Sequence, residues 1–412
     1  MRRLADAQAD VLDAVPLLPR LRVGLREALG LVLADDVAAT HDLPPFPNSA
    51  MDGFAVRAQD VVPAPAELTV IDEVAAGGVS GHTVTSGTAI KIMTGAPMPA
   101  GGDAVVKVED TEPAGAGMVR VLVSVERGTA VRATGGDIPS GTVVLRTGQR
   151  LIPARLGVLA SMGEAFPLVR RRPVVSIVST GDEVMPPETA DLGPGKIRDS
   201  NRYMLAGLLE EAGAVVIDRG IVPDDPSTLA RVLNHAAANV DIIATTGGVS
   251  MGDHDVVKEV FGGLGAVDFW RVAMQPAKPF GFGNVEGTPF FGLPGNPVSV
   301  AVAFEQYLRP ALLQMMGSRA LFRPRLAGVI DDTVQTDPAK EVFLRVAARY
   351  DLGIWRAGLS GGQSSNVLSA LAAANAYAVV PVGVDTIRAG EPVDLEMFRW
   401  PETRSREEVL GE

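Results

Sequence analysis

Alternating secondary-structure signals between residues 174 and 316 constrain the fold of this chain more than any other feature. The stretch 174–179 reads Val-Val-Ser-Ile-Val-Ser, an apolar run typical of strands that are buried on both faces. The pattern that follows predicts strands over 214–218, 240–246, 267–272 and 289–292, and helices over 201–212, 226–239, 253–261 and 296–316. Strands that alternate with helices in this way predict a doubly wound, mostly parallel α/β sheet with helices on both faces.

The sequence on either side of this segment has a different character. Before it, helices are predicted over 4–15, 23–33 and 153–163, and the region 61–147 is rich in strand-forming residues and glycine turns. After it, β-like segments return over 325–330, 342–348, 376–382 and 393–398. A chain of 412 residues exceeds what one hydrophobic core holds, so about two to four domains are expected.

The composition excludes several classes of site. The chain has no cysteine, which rules out disulfides, thiolate zinc sites, iron–sulfur clusters and cysteine nucleophiles. Its four histidines are too few for a histidine-rich site, so any metal would be bound by hard oxygen ligands. The net charge of -12 argues against nucleic-acid binding, which needs a basic surface, but a small anion could still be held by a few local cations.

The N-terminus and the long uncharged stretches bear on the location of the protein. Residues 1–6 read Met-Arg-Arg-Leu-Ala-Asp and lack the apolar core of a signal peptide. Stretches such as 287–304 are broken by glycine and proline, so they cannot form continuous membrane-spanning helices. We therefore expect a cytoplasmic protein that does not contact a membrane.

The loops that follow the predicted strands carry the candidate chemistry. They are rich in glycine, hydroxyl groups and carboxylates, and they lie at 180–183, 223–226, 245–255 and 292–297. Ligands of an open parallel sheet bind beyond the carboxyl ends of its strands, so these loops are expected to meet at one edge. Glycines let backbone amides approach a phosphate, and carboxylates beside a phosphate suggest a magnesium ion.

Each loop taken alone has an ordinary structural interpretation. Thr-Gly-Asp-Glu is usually a turn with a helix cap, Asp-Asp-Pro is usually a helix start, and a Gly-Gly pair is weak support for phosphate binding. Lys278 could bind a phosphate or another oxyanion, although a solvated loop lysine is the simpler reading without further context. The repeated carboxylate and glycine chemistry at one sheet edge is what favours a site.

Two further motifs, over 48–55 and 92–97, complete a pattern that spans essentially the whole chain. Together with the four loops, they resemble the molybdopterin molybdenumtransferase family, to which the E domain of gephyrin belongs. The combination of Gly-Gly-Val-Ser at 247–250 with Gly-Leu-Pro-Gly-Asn-Pro at 292–297 is the specific part of this resemblance.

The resemblance implies an activity and an architecture. The family inserts molybdenum into molybdopterin, using molybdate and adenylylated molybdopterin as substrates and releasing AMP with the help of a divalent cation, expected to be Mg²⁺. It implies a homodimer whose active site is shared between subunits, with transient contacts to other cofactor-synthesis enzymes. The implied domains are a discontinuous helical linker and dimerisation domain over 1–44 and 139–172, an inserted β-rich domain over 45–138, an α/β molybdopterin-binding domain over 173–318, and a C-terminal β-barrel over 319–412.

The resemblance also assigns roles to residues. Those matched to catalytic positions are Asp52, Thr94, Glu183, Asp224, Asp255 and Lys278, of which Glu183, Asp224 and Asp255 are matched to the metal. Those matched to substrate and phosphate binding are Thr180, Gly181, Asp182, Ser200, Gly247, Gly248, Ser250, Pro294, Gly295, Asn296, Pro297 and Ser299. The oxyanion, molybdate, is matched to Lys278, Gln275, Arg345 and Ser364.

One departure from the family pattern affects the oxyanion site. Many members read Lys-Pro-Gly-Lys-Pro where this chain has Gln-Pro-Ala-Lys-Pro at 275–279. Gln275 can donate a hydrogen bond but supplies no charge, so a weaker affinity for molybdate or a substitute cation is expected.

Two alternatives to the insertion enzyme stay open at this point. One is a molybdopterin carrier or scaffold that has the cleft but no turnover. The other is an enzyme that makes the adenylylated intermediate. Retained acidic residues argue against the carrier, and the flanking β-rich regions argue against the adenylylating enzyme.

Overall fold

The computed structural model of the protein describes residues 1–248, 260, 267–401, 406 and 410. The chain divides into two compact units. One comprises Met1–Leu21, Gly30–Ala34 and Val169–Glu412, and the other comprises Arg22–Leu29 and Asp35–Leu168. The finer boundaries of the four expected domains stay a prediction.

A six-stranded sheet forms the centre of the first unit. Its strands in chain order are β1 (Val174–Thr180), β2 (Val215–Val222), β3 (Ile242–Thr246), β4 (Val267–Arg271), β5 (Pro279–Val285) and β6 (Thr288–Leu293). The order across the sheet is β2-β1-β3-β6-β5-β4. The β1–β2, β1–β3 and β3–β6 pairs are parallel, whereas β5 runs antiparallel to both of its neighbours. The expected doubly wound, mostly parallel sheet is confirmed.

Strand β5 is the element of this sheet that the sequence pattern did not predict. It begins at Pro279 and contains Gly281 and Gly283, residue types that are depleted in strands. Tertiary packing stabilises it as a strand nonetheless, because Phe280 and Phe282 pack into the core beside Phe291 of β6.

The helices that cover the sheet begin and end close to where the sequence predicts. They are Asn201–Glu211, Pro226–Ala237 and Pro297–Ala303, and the last continues through a π-helical turn, Phe304–Leu308, into Arg309–Met315. Pro310 explains the π turn, because its ring has no N–H and crowds the carbonyl four residues earlier. Asp225 caps the helix Pro226–Ala237 by accepting from the Thr228 N–H. The predicted helix over 253–261 lies almost wholly outside the described residues.

The C-terminal part of this unit is a closed five-stranded barrel, as the resemblance implied. Strands Glu341–Asp351, Ile354–Leu359, Arg325–Ile330, Pro392–Met397 and Ala376–Val380 pair in that order, and the last pairs back with the first. The sequence pattern missed the strand Ile354–Leu359 and the short helix Leu368–Ala373. A short strand, Met274–Gln275, joins the barrel sheet, and Val334–Gln335 pairs with Thr386–Ile387.

The N-terminal helix, Leu4–Ala14, belongs to the same unit. Its buried residues Leu4, Ala7 and Val11 recur every three or four positions, so one face packs into the core of the α/β sheet. Short strands follow at Arg20–Arg22, Val32–Leu33 and Leu168–Arg170. In the part of the chain that the structure covers, no helix has both the length and the apolar character needed to cross a membrane.

The second unit is rich in β-structure, as the sequence predicts. Its main sheet contains Gly53–Val56, Ala66–Val74, Thr88–Ile92, Ala104–Lys107, Thr111–Pro113 and Met118–Val121. Shorter strands lie at Val37–Ala38, Asn48–Ser49, Val131–Arg132 and Val143–Leu145, and 3₁₀ turns lie at Ala58–Val61 and Val108–Asp110. Its α-helix, Pro153–Ser161, was predicted.

The helix predicted over 23–33 is wrong. Residues 25–30 form turns, and Val32–Leu33 is a strand. Two glycines explain the difference. Gly24 weakens a helix start, and Gly30 adopts a left-handed backbone with φ of 79°, which a helix interior does not allow.

Candidate active site

A cleft of about 290 Å³ opens at the carboxyl ends of β1, β3 and β6. Open parallel α/β sheets bind their ligands beyond the carboxyl ends of the strands, which is where this cleft lies. Seven of the predicted site residues line the cleft: Thr180, Glu183, Ser200, Gly247, Gly295, Asn296 and Pro297. The sequence argument therefore located the edge of the sheet at which a site is built.

Gly247 gives the cleft its close backbone packing. Its φ is 91°, and a Cβ at this position would lie 2.7 Å from the carbonyl oxygen of Thr180. Gly295, on the loop after β6, is also close, because a Cβ there would lie 3.8 Å from the Gly247 Cα. Only glycine at 247 lets the ends of β1 and β3 approach this closely.

Carboxylates of two loops lie beside the cleft. Asp182 and Asp224 lock their loops together: the Asp224 N–H donates to Asp182 Oδ1 at 3.1 Å, and the Asp182 N–H donates to Asp224 Oδ2 at 3.3 Å. The carboxylate of Glu183 folds back over Gly181, where a Cβ would lie 2.6 Å from Glu183 Oε2. This is an oxygen donor set of the kind that Mg²⁺ prefers.

The third residue predicted for the metal, Asp255, lies outside the described residues, as does Ser250. Among the residues that are described, no group of three or more His, Cys, Asp or Glu side chains is arranged to hold a metal ion. The donor chemistry of Glu183 and Asp224 thus fits a hard cation, while the complete ligand set stays a prediction.

Two polar atoms at the cleft are buried without a partner among the described residues. They are the hydroxyl of Thr180 and the side-chain oxygen of Asn201. Asn201 donates its Nδ2 to the Gly295 carbonyl at 2.6 Å, so its amide orientation is set. The neighbouring hydroxyls of Ser179 and Thr246 instead bond each other at 2.9 Å. Unpartnered buried atoms in a cleft are the mark of a site that a ligand completes.

Asp199 and Arg202 form the support behind the cleft. Asp199 lines the cleft and is 4% exposed, and its carboxylate accepts from Arg202 Nε at 2.9 Å. Arg202 also bonds Asp218 and stacks on the ring of Tyr203 at 4.8 Å. Because one guanidinium serves both carboxylates, Asp199 is held in one position.

Among the described residues matched to substrate binding, Gly181, Asp182, Gly248, Pro294 and Ser299 do not line the cleft. Pro294 and Ser299 are buried in the loop after β6 and in the helix that follows. Gly181 and Gly248 adopt positive φ values, 133° and 67°, at the loop turns after β1 and β3. Asn296 stands at the helix N-cap as predicted, but its side chain makes no cap hydrogen bond.

Arg345 occupies a different environment, on the barrel strand Glu341–Asp351. It is 1% exposed, and its guanidinium donates to the carbonyls of Phe343, Gly362 and Ser364 at 3.3 Å each. Its Nε has no partner among the described residues. Burial lowers the pKa of this guanidinium, although the side chain keeps its charge.

The loop 360–366 connects Arg345 to the cleft. Gln363 accepts from the Arg345 N–H at 2.9 Å and donates to the Arg345 carbonyl at 3.1 Å. Ser365 accepts from the Val298 N–H at 3.1 Å, at the start of the helix after β6, and Asn366 lines the cleft. The structure therefore brings Arg345 and Ser364 together, as the resemblance implied, and links them to the cleft.

Gln275 and Lys278 lie in the segment that connects β4 to β5. Gln275 is exposed and pairs with Val342, three residues before Arg345 on the barrel strand. Lys278 is exposed, and its charge acts on the carboxylate of Asp337. Both side chains are free to meet an anion from solvent.

Asp52 and Thr94 meet within the second unit. Asp52 Oδ1 accepts from the Thr94 N–H and from Thr94 Oγ1, both at 2.7 Å. These bonds, the backbone one first, lower the pKa of the Asp52 carboxyl, which is therefore held in its charged form.

Sequence reasoning missed part of the cleft. The missed lining residues are Val184, Ile197, Arg198, Asp199, Asn201 and Asn366. Ser179 and Thr246 also line the cleft and belong to sequence motifs already considered, but the sequence assigned them no role. Asp199 and Asn201 flank the predicted Ser200, so the Asp-Ser-Asn run was the available signal. Asn366 carried no such signal, since it reaches the cleft from a different domain.

Comparison with family models divides the chain into three matched regions. Residues 2–163 match the model of the MoeA N-terminal region (domain I and II), residues 176–314 match a probable molybdopterin binding domain, and residues 328–398 match the MoeA C-terminal region (domain IV). The cleft residues from Thr180 to Pro297 fall in the second region.

Curated relatives and solved structures agree with these matches. Molybdopterin molybdenumtransferase 2 of Mycobacterium tuberculosis is 39% identical over 405 residues, which is 96% of this chain and 99% of the relative. The molybdopterin molybdenumtransferase of Haemophilus influenzae is 33% identical over 97% of this chain and 99% of the relative. The crystal structure of the molybdopterin biosynthesis MoeA protein from Pyrococcus horikoshii is 33% identical, covers 97% of this chain and 100% of that one, and superposes with a TM-score of 0.82.

These similarities extend over nearly the full length of the chain and include both flanking β-rich regions. The chain therefore belongs to the molybdopterin molybdenumtransferase family, transferases of molybdenum-cofactor biosynthesis that insert molybdenum into molybdopterin.

Proposed function

We propose that the protein takes adenylylated molybdopterin and molybdate, cleaves the adenylate and leaves molybdenum on the dithiolene of the pterin, with AMP as the second product. The observation that carries this proposal is the cleft at the edge of β1, β3 and β6. Two buried polar atoms at the cleft, the Thr180 hydroxyl and the Asn201 side-chain oxygen, have no partner in the described part of the chain. The loops beside the cleft carry the carboxylates of Glu183, Asp182 and Asp224. The cleft offers polar contacts for an organic ligand, and the carboxylates on the loops beside it would hold a cation for the phosphoryl group.

Cleavage of the adenylate requires a water molecule to attack phosphorus and lose a proton. Glu183 lines the cleft with an exposed carboxylate, which suits it to accept that proton. Glu183, Asp224 and Asp255 supply hard oxygen ligands that would hold Mg²⁺. When bound, the cation would neutralise charge on the phosphoryl oxygens. The Asp182–Asp224 bonds keep the two loops in register while this occurs.

Molybdate requires the opposite environment, one of cations and hydrogen-bond donors. Arg345 supplies a buried positive charge whose Nε is unpartnered among the described residues, and its Nη2 donates to the backbone carbonyl of Ser364, a residue whose hydroxyl could also serve the oxyanion. Lys278 adds an exposed cation, and Gln275 adds an amide donor without charge. We infer that this group binds the oxyanion and that the loop 360–366 connects it to the cleft.

The resemblance also supports a homodimer in the cytoplasm in which Asp52 and Thr94 act on the cleft of the other subunit. Mixing inactive chains tests this arrangement. We expect Asp52→Ala and Asp224→Ala homodimers to be inactive, and a remixed sample to recover about a quarter of the activity, because half of the dimers would contain one intact site of two. Failure of the mixture to recover activity, with exchange of chains verified, would contradict the shared site.

Release of AMP tests the proposed reaction. Purified protein is given adenylylated molybdopterin and Mg²⁺, with and without molybdate, and AMP is quantified together with pterin-bound molybdenum. Molybdate-dependent AMP release with equal molybdenum incorporation is the expected result. Tight binding without release would support the carrier, and formation of the adenylate from ATP and molybdopterin would support the adenylylating enzyme.

A further inference from the structure

We propose that Asn201 and Thr180 recognise the hydrogen-bond donor edge of the pterin ring, formed by its exocyclic amino group and the adjacent ring N–H. The inference rests on the proposed function in one respect: it takes the pterin to occupy the cleft. It adds the two side chains that determine which heterocycle is accepted.

Asn201 is committed to accepting a hydrogen bond. Its Nδ2 donates to the Gly295 carbonyl at 2.6 Å, and the reversed amide would set two oxygens against each other. The side-chain oxygen, Oδ1, is consequently an acceptor that is buried at the cleft with no partner in the described part of the chain. Leaving such an atom unpaired is costly, so a ligand that fits this cleft must bring a donor to it.

Thr180 presents a second group at the cleft that is unpaired among the described residues. The residue is 4% exposed, and its Oγ1 is buried without a partner among the described residues. The hydroxyl stays clear because residue 247 is glycine: a Cβ there would lie 3.1 Å from Thr180 Oγ1. Ser179 and Thr246 next to it satisfy each other. The hydroxyl of Thr245 is also unpartnered among the described residues, but Thr245 does not line the cleft, whereas Thr180 does.

The chemistry of these two groups selects among the parts of the substrate. Phosphate and molybdate oxygens are acceptors when ionised, and they cannot satisfy Asn201 Oδ1. A heterocycle with N–H donors can. Pterin offers an amino group beside a ring N–H, and adenine offers an amino group beside a ring acceptor. The Thr180 hydroxyl can pair with either neighbour, because it both donates and accepts. Thr180 and Asn201 both lie within the region matched to a probable molybdopterin binding domain, which favours the pterin.

Paired ligands and variants test the inference. Binding to the full-length protein is measured by calorimetry for 6-carboxypterin and for 6-carboxylumazine, in which an oxygen replaces the amino group. The same is done for AMP and inosine monophosphate, which differ at the adenine amino group. Each pair is compared in the wild type, in Asn201→Leu and in Thr180→Val, and thermal unfolding confirms that each variant is folded. Asn201→Ser replaces Asn201→Leu if the larger side chain prevents folding.

The wild type is expected to prefer the pterin over the lumazine by about 10- to 100-fold, because the lumazine places an acceptor where a donor is needed. Asn201→Leu should reduce this preference to less than about threefold, and Thr180→Val should lower pterin affinity by a smaller factor. In turnover, Asn201→Leu should raise KM for adenylylated molybdopterin and leave kcat within about twofold, because it removes a contact made equally in ground and transition states.

Three outcomes would overturn the inference. A pterin preference that persists in Asn201→Leu shows that another residue reads the donor edge. A variant effect on AMP against inosine monophosphate, but not on the pterin pair, assigns these residues to adenine. Failure of the wild type to bind either pterin while AMP release still depends on molybdate removes the inference but leaves the proposed function intact. Loss of both pterin binding and AMP release contradicts the proposed function itself.

Discussion

The cleft at the sheet edge and the Arg345 region of the barrel solve opposite electrostatic problems within one unit. The cleft has carboxylates beside it, and two of its buried polar atoms have no partner among the described residues; Glu183 is exposed at its wall. The Arg345 region is built around a buried cation that is met by backbone carbonyls at 3.3 Å. One environment suits a cation and N–H donors, and the other suits an oxyanion.

This difference in charge explains how one protein could bind a pterin and an oxyanion at two separate but linked places. A doubly charged oxyanion is repelled by the carboxylates beside the cleft, whereas it is attracted by the guanidinium of Arg345. The loop 360–366 links the regions, because it bonds Arg345 at one end and presents Asn366 to the cleft at the other. Four substitutions test this division, and they follow in order of decreasing expected effect.

Asp224→Ala should impair the carboxylate group beside the cleft. Removing this carboxylate is expected to lower molybdate-dependent AMP release by at least about 100-fold, because it removes a ligand of the cation that would neutralise charge on the phosphoryl oxygens. Asp225→Ala is the matched control. It removes the helix cap on the Thr228 N–H and should lower stability by about 1 kcal/mol while activity persists. Full turnover by Asp224→Ala at saturating Mg²⁺ would refute its assignment.

Arg345→Met should break the cationic side. The variant loses the buried charge and its carbonyl bonds, and the dissociation constant for molybdate is expected to rise about 100-fold, while pterin binding is retained. Arg356→Met is the control, since this arginine pairs with Asp331 on the barrel surface. Calorimetric titration with molybdate measures both. Equal losses in the two variants would show that the effect is not specific to Arg345.

Gly247→Ala should deform the cleft and leave the Arg345 region unchanged. The φ of 91° and a Cβ placed 2.7 Å from the Thr180 carbonyl are expected to cost about 1–2 kcal/mol or more in the free energy of unfolding. Gly295→Ala meets its nearest atom at 3.8 Å and should change stability by less than about 0.5 kcal/mol. Denaturant unfolding distinguishes them, and equal stabilities would contradict the close packing of β1 and β3.

Gln275→Lys should increase the difference between the two regions by adding a positive charge to the proposed oxyanion site. The added ammonium is expected to tighten molybdate binding by at most about tenfold at low salt, and the gain should shrink as ionic strength rises. Gln335→Lys places the same charge on an exposed strand elsewhere on the barrel and serves as the control. A gain that is equal in both, or insensitive to salt, would show that Gln275 does not face the anion.

The sequence predicted the sheet edge well and the barrel side less well, for physical reasons. Continuous apolar runs and helix caps are local signals, and they located β1, β3 and the helix that Asp225 caps within a few residues. Strand β5 was not predicted because its proline and glycines lower its strand propensity, whereas the aromatic packing that stabilises it is a tertiary contact. The helix over 23–33 failed because local apolar spacing outweighed Gly24 and Gly30 in the prediction.

The same contrast holds for the site. Six of the seven predicted cleft residues lie at or just beyond the ends of β1, β3 and β6, so the sheet topology brings them together, and the seventh, Ser200, precedes the helix Asn201–Glu211. The pairing of Gln275 with Val342 and the approach of Asn366 to the cleft depend on contacts between the α/β sheet and the barrel, which no local pattern encodes. The commitment of Asn201 to accept a hydrogen bond emerges only from its bond to Gly295.

The most direct test of the division between the two regions is to locate the oxyanion. Crystals of the protein soaked in molybdate, and separately in tungstate, give anomalous difference density at the absorption edge of each metal. We expect one peak in contact with Arg345 and Ser364, and its loss in Arg345→Met crystals soaked identically. A peak confined to the cleft between Thr180 and Gly247, unchanged in the variant, would contradict the account.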